Sequence, residues 1–152
     1  MDRKIAVTNR KFFHDYNRIE QYETGLVLTG GEVKSLRDSK SSLQDSFARV
    51  ENGEMFVYNI HINPYSFSGR NNTPPKRKRK LLMHKNEIEK LYGKTTQKGC
   101  LLIPVEIYFN EKGVAKLSLA LATRKKGPDK RDLLKERDIE RELRRENLVK
   151  RR

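Results

Sequence analysis

The chain contains no tryptophan and one cysteine, and no apolar run approaches the ~20 residues that a membrane-spanning helix requires. Cys100 has no second thiol to pair with, so an internal disulfide is excluded. It lies in an apolar, strand-like run, where a buried structural thiol is expected rather than a nucleophile. The first residues, MDRKIAVTNRK, lack the apolar core of a secretion signal, so a cytoplasmic address is expected, with no membrane partner. Catalytic signatures are equally scarce. His14, His61 and His84 are scattered, with no cysteine or carboxylate cluster at metal-ligand spacing, and neither G-x-S-x-G nor H-E-x-x-H occurs. Two glycines precede a helical pattern at residue 30, but no Gly-Lys-Ser/Thr follows, which excludes a nucleotide-binding loop of that type. Neither an enzyme nor a metal or other cofactor is expected.

What the chain has in excess is positive charge. It carries 34 Lys/Arg against 20 Asp/Glu, a net charge of +14 over 152 residues. The excess has two locations. Residues 1–122 hold 21 basic and 13 acidic side chains, and residues 123–152 hold 13 and 7. A basic body together with a basic tail points to a polyanion that touches both, and nucleic acid is the natural candidate.

The segment 123–152 has only six large aliphatic side chains, too few to offset backbone ordering at ~1–2 kcal/mol per residue. It is expected to be disordered in the free protein. Its charges nevertheless sort on a helical wheel. Arg137, Arg141, Arg144 and Arg145 form one stripe, with Asp132, Glu142 and Glu146 opposite. Such a segment becomes helical when a polyanion binds the stripe. The chain therefore divides into one domain, 1–122, and an appended basic tail, 123–152.

Within the domain, a short helix is expected at about 11–16, with Phe12 and Phe13 packing inward, followed by a strand over 18–28. Gly30 and Gly31 then read as a sharp reversal into a helix that carries Lys34 and Arg37. Asn52-Gly53 joins two alternating runs, a strong hairpin signal, with Phe56, Tyr58, Ile60 and Ile62 on one face of the second arm. Residues 66–80 break the pattern and end in five consecutive cations, Lys76 to Lys80, which suit direct phosphate contact. A helix of two or three turns follows, with Ile88, Leu91 and Tyr92 inward. A second strand pair then turns at 110–113, and Ala115, Leu117, Leu119 and Leu121 alternate along its second strand. Pro104 marks an edge or a bulge. The elements show no βαβ alternation. The expected class is mostly β with short helices (α+β): an OB-like antiparallel barrel of about six strands with three peripheral helices.

Particular strings add what patterning does not. GGEVKSLRDSK (30–40), RKLLMH (79–84), LIP (102–104) with Tyr108, and RKKGPDKRDLLKER (124–137) resemble, in order and spacing, the small protein B family of SsrA-binding proteins. The resemblance covers about 9–137. It implies an OB-like barrel that binds the tRNA-like domain of transfer-messenger RNA and delivers it to ribosomes stalled on truncated messages. By matching position, it implies an RNA-binding surface of Tyr16, Glu23, Lys34, Leu82 and His84. Asn9, Arg10, Lys11, His14, Arg37, Arg79 and Lys80 support that surface. Glu23 would accept from base amino groups while the cations hold phosphates.

It also implies a tail that becomes helical in the empty messenger path and decoding centre of the small subunit, against ribosomal RNA. Asp129, Lys130 and Arg131 match the functional motif there, with Lys125, Lys126, Lys135, Arg137 and Arg141 as further contacts. Ile139 stands where some relatives have tryptophan, leaving an apolar wedge in place of a stacking ring. A monomer is expected. The competing expectation is a general single-stranded RNA binder with no preference for tRNA-like structure.

Overall fold

The computed structural model describes residues 4–65 and 74–125, with the side chains of residues 97 and 98 excepted. Nine strands and three helices occur among these residues: β1 (Lys4–Thr8), α1 (Phe12–Asp15), β2 (Tyr16–Leu26), α2 (Gly30–Arg37), β3 (Ser41–Ser42), β4 (Phe47–Glu51), β5 (Glu54–Tyr58), β6 (His61–Ile62), β7 (Arg79–Leu82), α3 (Lys85–Lys98), β8 (Leu101–Phe109) and β9 (Ala115–Arg124). The main sheet runs β1-β8-β4-β5-β7-β2-β9, and an additional pairing of β9 with β8 closes it. Six strands (β2, β4, β5, β7, β8, β9) thus form a closed antiparallel ring, with β1 added on β8. Closure leaves few free edges to template aggregation. β3 and β6 make a separate two-stranded pair.

The hairpin expected at Asn52-Gly53 joins β4 to β5, with both residues at positive φ (52° and 78°), as a two-residue type I′ turn demands. The phase of the second arm differs from expectation. Met55 and Val57, not Phe56 and Tyr58, point into the core, whereas Ile60 and Ile62 are buried. Asn59, at φ 65°, takes the left-handed conformation and shifts the alternation by one residue. Simple period-2 counting cannot see such a break.

Gly30 and Gly31 are not a reversal either. Neither takes positive φ, and both lie in the first turn of α2. The turn is set by Thr29, whose hydroxyl accepts from the Glu32 amide (3.3 Å) while the Glu32 carboxylate accepts from the Thr29 amide (2.9 Å). This is a capping box.

β9 is apolar on both faces. Leu117, Leu119 and Leu121 enter the main core, while Ala120 and Ala122 pack with Phe12, Ile103 and Val105 in a second cluster beneath α1. The β8–β9 register shifts between Pro104 and Glu106, the bulge expected at the proline. Cys100 is buried, as expected. Two aromatics expected inside are outside: Phe13 is 52% exposed and Tyr92 52% exposed. α1 has only one turn, which buries Phe12 alone. α3 extends to 14 residues and packs through Ile88 and Leu91. Glu20 ties α3 to β2. Its carboxylate accepts from Lys94 Nζ (2.7 Å) and from the Tyr22 hydroxyl, and these hydrogen bonds hold its pKa down.

The most deeply buried charges link α2 to β7. Arg77 donates to both oxygens of Glu32 (3.0 and 2.7 Å), and Arg79 donates to Oε2 through Nε and Nη2 (2.9 and 2.6 Å). Arg79 also donates to the Ile60 and Pro75 carbonyls (2.8 and 3.0 Å). Burial opposes ionisation of Glu32. The hydrogen bonds from Arg77, the Thr29 amide and Arg79 outweigh it and hold the carboxyl at about 2.

Candidate nucleic-acid interface

The sequence-derived surface residues fall into separate groups. The first lies where β2 meets β7. Gly25 pairs with Leu82, and Glu23 stands two residues earlier on the same outer face of β2. Leu82 is 54% exposed, so its role as an apolar contact is open and a core role is not. Gly25 makes room for it, since a Cβ there would lie 3.2 Å from the Leu82 Cβ. Glu23 is exposed and accepts from the hydroxyl of Tyr108, whose ring is buried on β8. That hydrogen bond fixes one carboxylate oxygen and leaves acceptor capacity on the carboxylate for an incoming donor. His84 is exposed where β7 gives way to α3, and its amide donates to Glu87 Oε1 at 3.4 Å.

The second group is on α2. Lys34 and Arg37 are both exposed, as the helical spacing implies. The Lys34 ammonium lies 5.3 Å from the Tyr65 ring centre, and the Arg37 guanidinium 4.4 Å from that of Phe109. Arg37 also donates to the Gly113 carbonyl at 3.4 Å. Among the described residues neither cation has an ion pair with a carboxylate, and the aromatic rings hold them in place.

The third group surrounds α1, at the opposite end of β2. Tyr16 and Glu23 are seven residues apart on one strand, about 23 Å at ~3.3 Å per residue. Arg10, Lys11 and His14 are exposed, and His14 Nδ1 lies 2.9 Å from Asp15 Oδ1. The Tyr16 ring stacks on Phe12 (5.7 Å, 19°), with the Arg124 guanidinium 5.6 Å from its centre. The chain leaves the barrel here. β9 runs through Thr123 and Arg124, which pair with Asn17 and Tyr16. Lys125 donates its amide to the Asp15 carbonyl (2.9 Å) and its Nζ to the Phe13 carbonyl (2.6 Å). Lys126, Asp129, Lys130, Arg131, Lys135, Arg137, Ile139 and Arg141 lie outside the described residues, as does the expected disorder of the tail.

Two candidates need correction. The Arg79 side chain is 0% exposed and committed to Glu32, so it holds the fold rather than a phosphate. Asn9 is buried too, its Nδ2 donating to the Pro104 carbonyl at 2.9 Å and its amide to the Val105 carbonyl at 2.7 Å. It buttresses the bulge and thereby fixes Arg10 and Lys11. Lys80 remains exposed, within 2.5 Å of Glu54 Oε2. Sequence reasoning missed Tyr108 as the group that orients Glu23, because it sits between Ile107 and Phe109 in an apolar strand. It also missed Arg124. Among the described residues no group of three or more His, Cys, Asp or Glu is placed to hold a metal ion, and no helix is long and apolar enough to cross a membrane.

A closed six-stranded barrel whose outer surface presents an oriented carboxylate, an exposed leucine and several exposed cations belongs to the OB-like class. Comparison with known proteins defines the family. The family model described as SmpB protein matches residues 6–149. An SsrA-binding protein of Desulforamulus reducens is 54% identical over 140 residues, covering 92% of this chain and 87% of the relative. Another, from Coprothermobacter proteolyticus, is 51% identical over 148 residues, covering 97% and 99%. A chain from a solved structure described as "tmRNA-SmpB: a journey to the center of the bacterial ribosome" superposes with a TM-score of 0.67 at 51% identity, covering 79% of this chain and 83% of that one. The chain belongs to the SmpB family, whose members are RNA-binding proteins.

Proposed function

We propose that this protein is the RNA-carrying adaptor of trans-translation. It binds transfer-messenger RNA and brings it to ribosomes stalled on truncated messages. Membership of the SmpB family over nearly the whole chain carries this reading. The barrel, 1–122, is the grip. Glu23, oriented by Tyr108, accepts from base amino groups in the tRNA-like domain. Leu82 and His84 pack beside it, Lys34 and Arg37 hold phosphates, and Lys80 joins them where a phosphate displaces its exposed partner Glu54. The outer position of Leu82 supports this assignment, because an exposed leucine next to a held carboxylate suits an unstacked base better than it suits water. Arg10, Lys11, His14 and Tyr16 meet RNA at the tail end of β2.

The tail, 123–152, is the effector. It becomes helical along the empty messenger path and decoding centre of the small subunit, with Lys125, Lys126, Asp129, Lys130, Arg131, Lys135, Arg137, Ile139 and Arg141 toward ribosomal RNA. The protein acts by binding as a monomer in the cytoplasm, without catalysis, metal or cofactor.

Purification without nuclease, followed by sequencing of the co-purifying RNA, tests the reading. Transfer-messenger RNA should dominate. A mixture resembling bulk cellular RNA would instead establish the general single-stranded binder.

A further inference from the structure

The exposed cations of α2 and those of the 76–80 run are held by different groups. In the run, Lys78 and Lys80 reach the carboxylates of Glu51 and Glu54. Lys78 also lies 4.3 Å from the Phe56 ring centre, but its charge is met by Glu51. Lys34 and Arg37 rest on rings, Lys34 Nζ 5.3 Å from the centre of Tyr65 and the Arg37 guanidinium 4.4 Å from that of Phe109. The difference matters to an incoming phosphate. A carboxylate has to be displaced before a phosphate can take its place. A ring face carries no net charge, and an ammonium has three donors, so one side can stay on the ring while another binds a phosphate oxygen.

The position of Tyr65 is itself set by α2. Ser35, the residue after Lys34, is buried and donates its hydroxyl to the Asn63 carbonyl at 2.6 Å. The Asn63 amide donates to the Lys40 carbonyl just past the helix end (3.0 Å), and the Ile62 amide donates to the Pro75 carbonyl (3.0 Å). β6 pairs with β3 through Ser41–Ile62 and Ser42–His61. Residues 61–63 are thus fixed against the helix, the β3 strand and the Pro75 segment. Tyr65 follows two residues later, half-buried, with its ring under the lysine. The same helix therefore supplies the cation and, one residue on, the hydroxyl that anchors the segment carrying its ring.

We propose that Tyr65 is a positioning residue of the RNA grip: its ring holds the Lys34 ammonium, before RNA arrives, where a phosphate of the tRNA-like domain meets it. The inference rests on the adaptor reading, which gives Lys34 a phosphate to hold. A lysine that swings freely loses rotamer freedom when it binds, and a ring that already confines it removes part of that cost in advance. Tyr65 then adds to affinity without touching RNA. Phe109 stands in the same relation to Arg37 but belongs to the main core, so Tyr65 is the ring that can be changed without opening the barrel.

The test measures the Kd of the full chain for transfer-messenger RNA over a range of salt, with the urea midpoint of each variant alongside. Tyr65→Leu should weaken binding about two- to fivefold, the range of an exposed cation–ring contact. Its salt slope should stay that of the parent, because Lys34 still reaches the phosphate in the complex. Lys34→Ala should weaken binding and lower the slope by ~0.7–0.9, the value of one phosphate. Tyr65→Phe keeps the ring and should bind within about twofold of the parent. On the Lys34→Ala background, Tyr65→Leu should cost nothing more. That background separates positioning from a general loosening of the fold, which would weaken both backgrounds alike. Equal losses on the two backgrounds, or Tyr65→Phe as weak as Tyr65→Leu, would overturn the inference. So would parental affinity in Tyr65→Leu while Lys34→Ala weakens binding. Parental affinity and slope in Lys34→Ala itself would instead remove α2 from the grip, and the positioning role with it.

Discussion

Two basic stretches invite comparison: the run Lys76–Lys80 and the scattered cations Arg10, Lys11 and Arg124. In sequence the run is the obvious phosphate binder. In the fold it is largely neutralised from within. Arg77 and Arg79 bind Glu32, Lys78 reaches Glu51 (3.1 Å), and Lys80 reaches Glu54 (2.5 Å). The scattered cations are exposed around α1 and the end of β9, and none has an ion pair with a carboxylate among the described residues. The density of charge along a chain therefore says little about its availability. What decides it is whether the fold delivers a carboxylate to the same place, and the capping of α2 delivers Glu32 to Arg77 and Arg79.

The contrast can be broken most forcefully at Glu32. Glu32→Ala leaves Arg79 buried without a counter-charge and should cost about 3–5 kcal/mol, seen as a lower urea midpoint. Replacing the trio together, with Glu32→Leu, Arg77→Met and Arg79→Met, should recover a large part of that loss.

Next in size is the grip. Glu23→Arg removes a charged acceptor and sets a cation against the RNA's donors. It should weaken transfer-messenger RNA by about 10- to 100-fold, from ~1.5–3 kcal/mol per charged hydrogen bond, with an unchanged melting curve.

Acid should expose the same carboxylate more gently. Glu32 is held at about 2 in the fold against ~4.3 when unfolded. Its contribution is therefore complete above the unfolded value and is lost as pH falls from about 5 toward 2. Urea midpoints followed across that window should fall more steeply in the parent than in Glu32→Gln.

The smallest effect belongs to the neutralised run. Lys78→Ala should change RNA affinity less than about twofold and leave the salt slope intact, because its ammonium already faces Glu51. A loss as large as that caused by Arg10→Ala with Lys11→Ala, measured on the same RNA, would erase the distinction between the two stretches.

Much of the fold was legible. Asn52-Gly53 announced its hairpin, the alternation Ala115–Leu121 its strand, and Pro104 its bulge, because each is a local rule acting on adjacent residues. Three features were not. Asn59 takes positive φ with no glycine to advertise it, so the inward face of the second hairpin arm changed phase unseen. Phe13 and Tyr92 look like core in any composition count, but α1 has one turn and α3 already buries Ile88 and Leu91. Arg79 resembles its neighbours in the run, and only the approach of α2, 47 residues away in sequence, removes it from solvent. The same limit applied to the surface. Glu23, Leu82 and His84 were named from a family resemblance, whereas the hydroxyl of Tyr108 that orients Glu23 comes from a different strand.

The central claim is the division of labour between a barrel that holds one RNA and a tail that acts on another. Its most direct test measures two quantities on one variant, Asp129→Ala with Lys130→Ala and Arg131→Ala: the Kd for transfer-messenger RNA, and tagging of a protein made from a message without a stop codon. The account predicts an unchanged Kd with tagging abolished. Parallel loss of binding and tagging, or full tagging with the motif removed, would contradict it.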